Sequence, residues 1–355
     1  MEPLIKKNNH KRLFLVLILV FLACPFIVHL CIDRQTAYDA VPLRMGPYHY
    51  LSEQILHEKA PIDFLFLGSS DMNQGFNIDY LRKDWAKKHK KSFNIIMLAA
   101  SWRGFDKLYF FLKDVLEHRQ IKFVLLSVYG RNIYPHNASK YLYNIYDHNA
   151  DFSYLPIQTR LAFYAESLFG VPKLLYNKIF PPNGMDSTSK DRTIAKDYGA
   201  LLVDYGYDPR KEGEEPRSFV KRNDSPPHIT MNEVVYFGGE SNTFKTPYPM
   251  NAMEMYFYNL IVKLCKDHHT KLALIQMPFP TDDKKSINLY QWSFDKKIPT
   301  IAIPKGVLFP NMSQHDIEEF YNNSTHFNNN GALYISKALS DILYGIFEGS
   351  THEQN

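Results

Sequence analysis

A glycine and two serines directly follow a continuous apolar stretch early in the chain. In "PIDFLFLGSSDMNQGF" (residues 61–76), the run FLFLG leads into Ser69 and Ser70. A tight turn after a buried strand needs a glycine, but it does not need two serines. A serine hydroxyl at such a place can act as a nucleophile if a base takes its proton. Most Gly-Ser-Ser turns are structural, so a catalytic role for one of these serines depends on finding a base that could take its proton.

The best candidate for that base is His326, in "YNNSTHFNNNGALYISKAL" (residues 321–339). An imidazole is the usual base for a serine nucleophile at neutral pH. The chain has 14 histidines, and a histidine on a polar loop is most often simply solvated. His326 stands out by position, because a loop just before the last helix can return to the end of the first strand. The sequence therefore predicts a pair formed by Ser70 and His326.

The segments that must position this pair alternate between strand and helix patterns. Continuous apolar runs predict strands at residues 64–68, 93–101, 121–129 and 271–278. Helical spacing of apolar residues predicts helices at residues 78–89, 105–119, 252–269 and 331–347. This alternation predicts an α/β domain with a parallel sheet and helices on its faces. Ligands of such sheets bind at the carboxyl ends of the strands, where Ser70 is expected.

The chain divides into an N-terminal anchor and one interrupted α/β domain. The periodic pattern fades over residues 135–249, which we interpret as an insertion. Within it, residues 161–180 predict a helix pair that packs on the core or lies at the membrane. The predicted divisions are a cytoplasmic tail (1–12), a transmembrane anchor (13–32), a linker (33–60), the α/β domain (61–134 and 250–347), the insertion (135–249) and a C-terminal tail (348–355).

The anchor prediction depends on an uncharged run of twenty residues, 13–32. Such a helix reaches about 30 Å, the thickness of a hydrocarbon core. Four basic residues precede it, which predicts that residues 1–12 stay in the cytoplasm and the rest crosses. A cleaved signal peptide is the alternative, but its apolar run is usually shorter. We expect a single-pass protein of the cytoplasmic membrane with an extracytoplasmic C-terminal domain.

Composition argues against several classes of ligand. The net charge of only +4 gives no reason to expect a nucleic-acid partner, which usually needs a clustered basic face. Cys24 and Cys31 belong to the anchor and Cys265 is alone in the soluble part, so neither a disulfide nor a cysteine metal site is predicted there. A phosphate-binding loop at Gly68 is disfavoured because no Gly-Lys-Ser/Thr follows. We predict no metal and no cofactor.

In this order, five segments resemble the SGNH hydrolase superfamily (GDSL-type lipases and esterases): "FLFLGSSD", "FNIIMLAASWRGF", "VLLSVYGRN", "KLALIQMP" and "STHFNNNGALYISKAL". The resemblance covers residues 61–132 and 252–347. It is strongest to the branch with one membrane anchor, which includes alginate O-acetyltransferase-like proteins and the D-alanine-transfer protein of teichoic acid synthesis. That branch handles acyl groups on cell-envelope polymers.

The resemblance implies a three-layer α/β/α, flavodoxin-like fold. It also implies an extracytoplasmic esterase or O-acyltransferase that uses an acyl donor and a polysaccharide or other polymer acceptor. A membrane acyl-transfer protein is a further implied partner. If the chemistry has been lost, the fold would instead serve as a binding or assembly protein of the cell envelope.

The resemblance implies a role for individual residues. Ser70 corresponds to the family's nucleophile, because it is the third residue of a Gly-X-Ser motif that follows the first predicted strand. His326 matches the base of the late Asp-X-X-His motif. The oxyanion donors are then the backbone N–H of Ser70, Gly104 or a backbone N–H near Ser101, and the side-chain amide of Asn132.

One departure bears directly on catalysis. Asn323 stands where the family has the aspartate that orients the base, and a neutral amide stabilises an imidazolium poorly. Three readings stay open: a Ser-His dyad, a carboxylate supplied from elsewhere, or a non-catalytic site. Asp71 and Asp316 are the candidate carboxylates. Asp71 directly follows Ser70, and this adjacency predicts that its side chain points away.

Overall fold

The computed structural model describes residues 3–42, 45–128, 134–181, 225–236, 250–282 and 298–352. The helices are α1 (Pro3–Cys31), α2 (Arg34–Ala40), α3 (Tyr48–Ser52), α4 (Ser70–Gly75), α5 (Ile78–His89), α6 (Phe105–Leu116), α7 (Ser139–Leu142), α8 (Ile157–Ile179), α9 (Met231–Val234), α10 (Ala252–Asp267), α11 (Lys305–Leu308), α12 (Gln314–Glu318) and α13 (Asn329–His352). The strands are β1 (Ile62–Gly68), β2 (Ile95–Ala99), β3 (Ile121–Ser127), β4 (Val235–Tyr236), β5 (Lys271–Gln276) and β6 (Thr300–Ala302).

The six strands form one sheet in the order β2-β1-β3-β5-β6-β4. All neighbouring pairs are parallel except β4 with β6. Strand β1 lies between β2 and β3, and its last residue, Gly68, pairs with Ala99 at the end of β2. The carboxyl ends of these strands therefore meet at one edge of the sheet. The predicted α/β class is confirmed, with a mixed and mostly parallel sheet.

Strand β1 is apolar from Phe64 to Leu67 because both of its faces are covered there. Leu65 and Leu67 belong to an apolar cluster that includes residues of α6 and α10. Phe64 and Phe66 belong to a second cluster, which includes residues of α5 and α13. Successive side chains of a strand point to opposite faces, so burial on both sides produces the continuous run FLFL rather than an alternating pattern.

The segment predicted as an insertion contributes to both the sheet and the core. Strand β4 comes from it and pairs with β6. In place of the expected helix pair at residues 161–180, the chain forms one helix, α8, which continues through Pro172. The side chains of Phe163 and Leu174 in α8 are buried in the first apolar cluster.

Of the described helices, α1 is long and apolar enough to cross a membrane, judged by length and composition. The candidate membrane span, His10–Cys31, contains all but the last residue of the predicted anchor, residues 13–32. The side chains from Leu13 to Leu22 are exposed. Near the end of α1, Val28 and His29 are instead buried against the α/β domain. The last turns of this helix are thus part of the folded domain.

Candidate active site

Ser70 lies at the carboxyl end of β1, as its position after FLFLG predicts. Strand β1 ends at Gly68, and α4 begins at Ser70. A Cβ atom on Gly68 would lie 2.5 Å from Ser127 Oγ and 2.6 Å from Met72 Cβ. Such distances are too short for any side chain, so glycine is required where β1, β3 and α4 converge. The glycine is therefore explained by packing alone, and the second serine is the residue that needs a different explanation.

His326 lies on the loop between α12 and α13, and this loop closes against the start of α4. The N–H of Asn322 donates to the carbonyl of His326 (2.8 Å), which folds the loop back on itself. Asn322 Nδ2 lies 3.3 Å from Gln74 Oε1 in α4. The closure places His326 Nε2 2.9 Å from Ser70 Oγ, across 256 positions of sequence. Two residues that the sequence pairs only by type and order are thus in hydrogen-bond contact.

Asn323 orients the imidazole. Its Oδ1 accepts the backbone N–H groups of Thr325 and His326, each at 2.9 Å, and these donors identify that atom as the carbonyl oxygen. The same oxygen lies 3.1 Å from His326 Nδ1. An acceptor at this position places the ring proton on Nδ1. Nε2 then carries a lone pair directed at Ser70 Oγ, which is the tautomer that a general base requires.

A carboxylate also lies beside the imidazole, and it belongs to Asp71. Its Oδ1 is 3.7 Å from His326 Nε2, and its side chain is almost fully buried. Its Oδ2 accepts the hydroxyl of Ser69 at 2.9 Å and lies 3.4 Å from Arg103 Nε. The expectation that Asp71 points away is wrong. Ser70 and Asp71 are the first two residues of a helix, about 100° apart around its axis, so both can face the same loop.

The other candidate carboxylate has a different partner. Asp316 is the third residue of α12, and its Oδ2 accepts from the backbone N–H and the hydroxyl of Ser313 (3.2 and 2.6 Å). Ser313 Oγ in turn accepts the N–H of Asp316. This reciprocal pair is a capping box, which satisfies backbone donors at the start of a helix. Asp316 is therefore explained as a helix cap.

Of the predicted oxyanion donors, Gly104 lies in the right part of the molecule. It is the N-cap of α6 and lines a shallow cleft beside the nucleophile's neighbour, Ser69. The other residues that line the cleft are Arg103, Phe105, Leu108 and Ser127. The backbone N–H of Ser101 donates instead to the carbonyl of Met45 (3.1 Å), which removes it as a donor. Asn132 lies outside the described residues.

A buried lysine holds the loop that carries Gly104. Lys107 is fully buried, and its Nζ donates to the carbonyl oxygens of Ala100 and Ser101, each at 3.0 Å, and of Trp102. Trp102 has a φ of 60°, a left-handed conformation that a bulky residue adopts only when its surroundings enforce it. The ammonium group, with three carbonyl acceptors, supplies that enforcement. It thereby fixes the backbone immediately before Gly104.

Sequence reasoning missed Arg103 as a component of the site. Its guanidinium lies near the Asp71 carboxylate and 5.7 Å from the centre of the ring of Phe279, which is in the loop after β5. It therefore connects the loops after β2 and β5 with the start of α4. The available signal was its position, since Arg103 in "AASWRG" lies two residues after a predicted strand.

Among the described residues, no group of three or more His, Cys, Asp and Glu side chains is arranged to hold a metal ion. The chain matches no protein-family model, no curated protein and no solved structure. Its function therefore has to be argued from the geometry of the site.

Proposed function

We propose that this chain is a membrane-anchored serine esterase or O-acyltransferase of the SGNH hydrolase type, which acts on acyl groups of cell-envelope polysaccharides or related polymers. One observation carries the proposal: His326 Nε2 lies 2.9 Å from Ser70 Oγ, while Asn323 accepts at Nδ1 of the same ring. This is the arrangement of a nucleophile, its base and a group that orients the base.

The proposal includes a three-layer, flavodoxin-like fold. Its parallel strands have the order β2-β1-β3-β5-β6, which corresponds to the order 2-1-3-4-5 of flavodoxin-like sheets when the short antiparallel β4 is set aside. Two apolar clusters, each including residues of two helices, take alternate residues of β1. In such folds ligands bind near the ends of β1 and β3, and Ser70 lies two residues after the end of β1.

In the first half of the reaction, Ser70 Oγ attacks the carbonyl carbon of an acyl ester and passes its proton to His326 Nε2. The carbonyl oxygen becomes an oxyanion, which the backbone N–H groups of Ser70 and Gly104 and the amide of Asn132 are proposed to stabilise. The tetrahedral intermediate then collapses. The C–O bond to the leaving alcohol breaks, the alcohol takes the proton from His326, and the acyl group remains on Ser70.

In the second half, a hydroxyl of the polymer acceptor, or water, attacks the acyl-serine. His326 takes the proton of that hydroxyl and returns a proton to Ser70 Oγ as the acyl group leaves. Acceptor hydroxyls give O-acyl transfer, and water gives hydrolysis. In both halves a positive imidazolium forms transiently, and the nearby carboxylate of Asp71 lowers its free energy.

The membrane placement follows from α1. Residues 1–12 would lie in the cytoplasm and the α/β domain outside the cytoplasmic membrane, beside polymers that are linked to lipid or to the wall. The packing of His29 against Ser167 in α8 (2.9 Å) supports retention of the helix, since a cleaved leader has no need to complete the folded domain. A membrane acyl-transfer protein is the proposed source of the acyl group.

Asn323 supports a second candidate, a cell-envelope binding or assembly protein that keeps the fold without the chemistry. A neutral amide holds the imidazole tautomer but adds little to the stability of the imidazolium. In this case the contact between Ser70 and His326 would be a structural hydrogen bond of about 1 kcal/mol.

Labelling with a fluorophosphonate, which reacts with activated serines, separates the two candidates. For the full chain in detergent or vesicles, we expect labelling that disappears in Ser70→Ala and in His326→Ala. The matched control is Ser69→Ala, which removes the neighbouring hydroxyl and should keep the label. If the folded wild-type chain is not labelled, or if Ser70→Ala keeps the label, the enzyme proposal fails.

A further inference from the structure

Helix α8 presents apolar side chains on a face where a surface helix normally carries polar ones. Leu161, Phe169 and Ile179 are 59%, 74% and 67% exposed. Together with Ile157, Tyr176 and Phe180, they define what we call the outer face of α8. At 3.6 residues per turn, the five of these residues within the helix fall within roughly 120° around its axis. This clustering distinguishes them from apolar residues scattered singly over a surface, which need no explanation.

The opposite face of α8 is fixed against the α/β domain. Phe163, Ser167 and Leu174 are buried there. A Cβ on Gly170 would lie 2.1 Å from the carbonyl oxygen of Lys140, so the helix approaches α7 as closely as a glycine allows. The outer face therefore cannot turn into the core. Whatever covers it must come from outside the described fold.

The same helix is joined to α1 along the last third of α1. The hydroxyl of Tyr164 donates to the carbonyl of Leu22. Farther along α1, His29 Nε2 lies 2.9 Å from Ser167 Oγ. Just beyond the end of α1, Asp33 forms an ion pair with Lys178 at 2.6 Å. Helix α8 thus packs alongside α1 from Leu22 to the end of the apolar run of α1.

The length of the anchor then decides the environment of α8. Residues 13–32 reach about 30 Å, so Leu22 lies about 15 Å from the end of the run. If α8 stayed in water, only residues 13–21, about 14 Å of helix, would remain for the hydrocarbon core. That is half of what a span requires. A spanning α1 is compatible with the contact between Tyr164 and Leu22 only if α8 enters the adjoining leaflet.

We propose that the outer face of α8 is embedded in the leaflet next to the α/β domain and that lipid acyl chains cover it. The inference rests on the proposed membrane placement of α1, and it adds a second element that contacts lipid. The chemistry of this face fits lipid, because the face itself is uncharged and Lys173, at its border, can reach a headgroup phosphate. With α1 and α8 both in contact with lipid, the α/β domain is held at a fixed height and tilt relative to the membrane.

The test uses the full chain with Cys24, Cys31 and Cys265 replaced by alanine, in vesicles of phosphatidylcholine and phosphatidylglycerol. One nitroxide spin label is attached in turn to Phe169→Cys on α8, Phe14→Cys on α1 and Lys83→Cys on α5. Collision with oxygen, which concentrates in lipid, is compared with collision with a water-soluble nickel chelate. We expect an oxygen-to-nickel ratio several-fold higher at position 169 than at position 83.

The three positions separate failure of this inference from failure of the anchor. A lipid signature at 14 with a water signature at 169 would overturn the inference and leave the anchor intact. Low accessibility to both reagents at 169 would also overturn it, since a protein partner or a second copy would then cover the face. A water signature at 14 would refute the spanning helix itself, and the argument for α8 would fall with it.

Discussion

Two histidines of this chain each lie beside a serine and an aspartate, in two different polar clusters. The rim site consists of Ser70, Asp71, Asn323 and His326 at the edge of the sheet. The buried cluster consists of Asp106, Lys107, His136 and Ser139, behind the loop that follows β2. By composition, both contain the residue types of a hydrolase site. Their hydrogen bonds distinguish them.

In the buried cluster, both ring nitrogens of the histidine are bonded to backbone groups. His136 Nε2 lies 3.1 Å from the carbonyl oxygen of Ser101, and its Nδ1 accepts the N–H of Ala138 at 3.0 Å. The hydroxyl of Ser139 donates to Asp106 Oδ2 (2.6 Å) and does not contact the imidazole through this bond. Among the described residues, no nucleophile faces this ring, and the bonds of the cluster stabilise the loop.

In the rim site, one ring nitrogen is bonded to the backbone-anchored Asn323 and the other faces a serine hydroxyl. The side chain of His326 is 18% exposed, whereas His136 is only 4% exposed as a residue. A substrate can approach the first histidine and not the second. The two clusters have similar composition but differ in two properties. In the candidate active site one ring nitrogen faces a serine hydroxyl and the ring is accessible, whereas in the structural cluster both ring nitrogens bind backbone groups and the ring is buried.

Alanine substitutions at the two histidines should give the largest difference between the two clusters, because one should affect activity and the other stability. In His326→Ala the base is lost, and we expect esterase activity on a p-nitrophenyl ester to fall about 10⁴-fold. In His136→Ala the buried N–H of Ala138 loses its acceptor, and the carbonyl of Ser101 keeps its bond from Lys107 but loses the one to the ring. We therefore expect a loss of about 1–3 kcal/mol in the free energy of unfolding.

Steady-state kinetics and urea denaturation measure both effects. His326→Ala should unfold close to the wild-type midpoint, because its ring is partly exposed. The folded fraction of His136→Ala should keep most of the wild-type rate. If instead His136→Ala abolishes the rate in fully folded protein, the assignment of the two clusters is reversed.

The sequence predicts the central features of the site because they follow from strong local patterns. A run buried on both faces identifies β1, and its end locates Ser70. The order of elements then brings the loop with His326 to the same edge. The strands β4 and β6 were not predicted, because two and three residues are too short to show a period.

The parts of the site that the sequence does not reveal depend on tertiary contacts. Nothing local marks the six-residue helix that turns Asp71 toward His326. Lys107 occupies an ordinary helix position, and its burial makes sense only with the left-handed turn at Trp102 whose carbonyls it binds. Such features require knowledge of which loops meet, and that knowledge is absent from the pattern of any one segment.

Replacing Asn323 with aspartate tests the charge requirement of the rim site, because it adds a negative charge beside His326 without changing the shape of the side chain. The carboxylate can accept the same backbone N–H groups and would add a negative charge beside Nδ1. We expect Asn323→Asp to raise kcat/KM at pH 8 by roughly tenfold, the equivalent of one pKa unit of added stabilisation of the imidazolium. The tautomer is already correct in the wild type, so the gain is smaller than the loss known for a misoriented histidine.

The pH profile provides the second readout for this variant. A stabilised imidazolium moves the acid limb of kcat/KM to higher pH. The matched control in the buried cluster, Asp106→Asn, should leave the position of that limb unchanged. An Asn323→Asp profile that superimposes on the wild type would mean that the acid limb of kcat/KM does not arise from His326.

The smallest expected effect is a pH dependence of stability that arises in the buried cluster. Burial, with a contribution from the nearby charge of Lys107, holds the pKa of His136 well below its ordinary value of 6.5. Burial also raises the pKa of Asp106, whose usual value is 3.8, although its bonds with Ser139 and the N–H of His136 oppose the shift. Below pH 6.5 the imidazole of residue 136 is largely protonated in the unfolded chain, whereas in the folded chain it binds a proton only at lower pH. Stability due to this residue therefore falls as the pH decreases, and it is fully present above pH 6.5.

For His136→Gln, whose amide can still donate to the carbonyl of Ser101, this contribution disappears. Between pH 7 and pH 6 the wild type should lose about 0.7 kcal/mol more than the variant in the free energy of unfolding. Because Asp106 is present in both proteins, its opposite contribution cancels in the difference. Urea denaturation at the two pH values measures it. Equal losses in the two proteins would show that the folded state accepts a proton at His136, which would place a charged ring in the cluster that we assign a purely structural role.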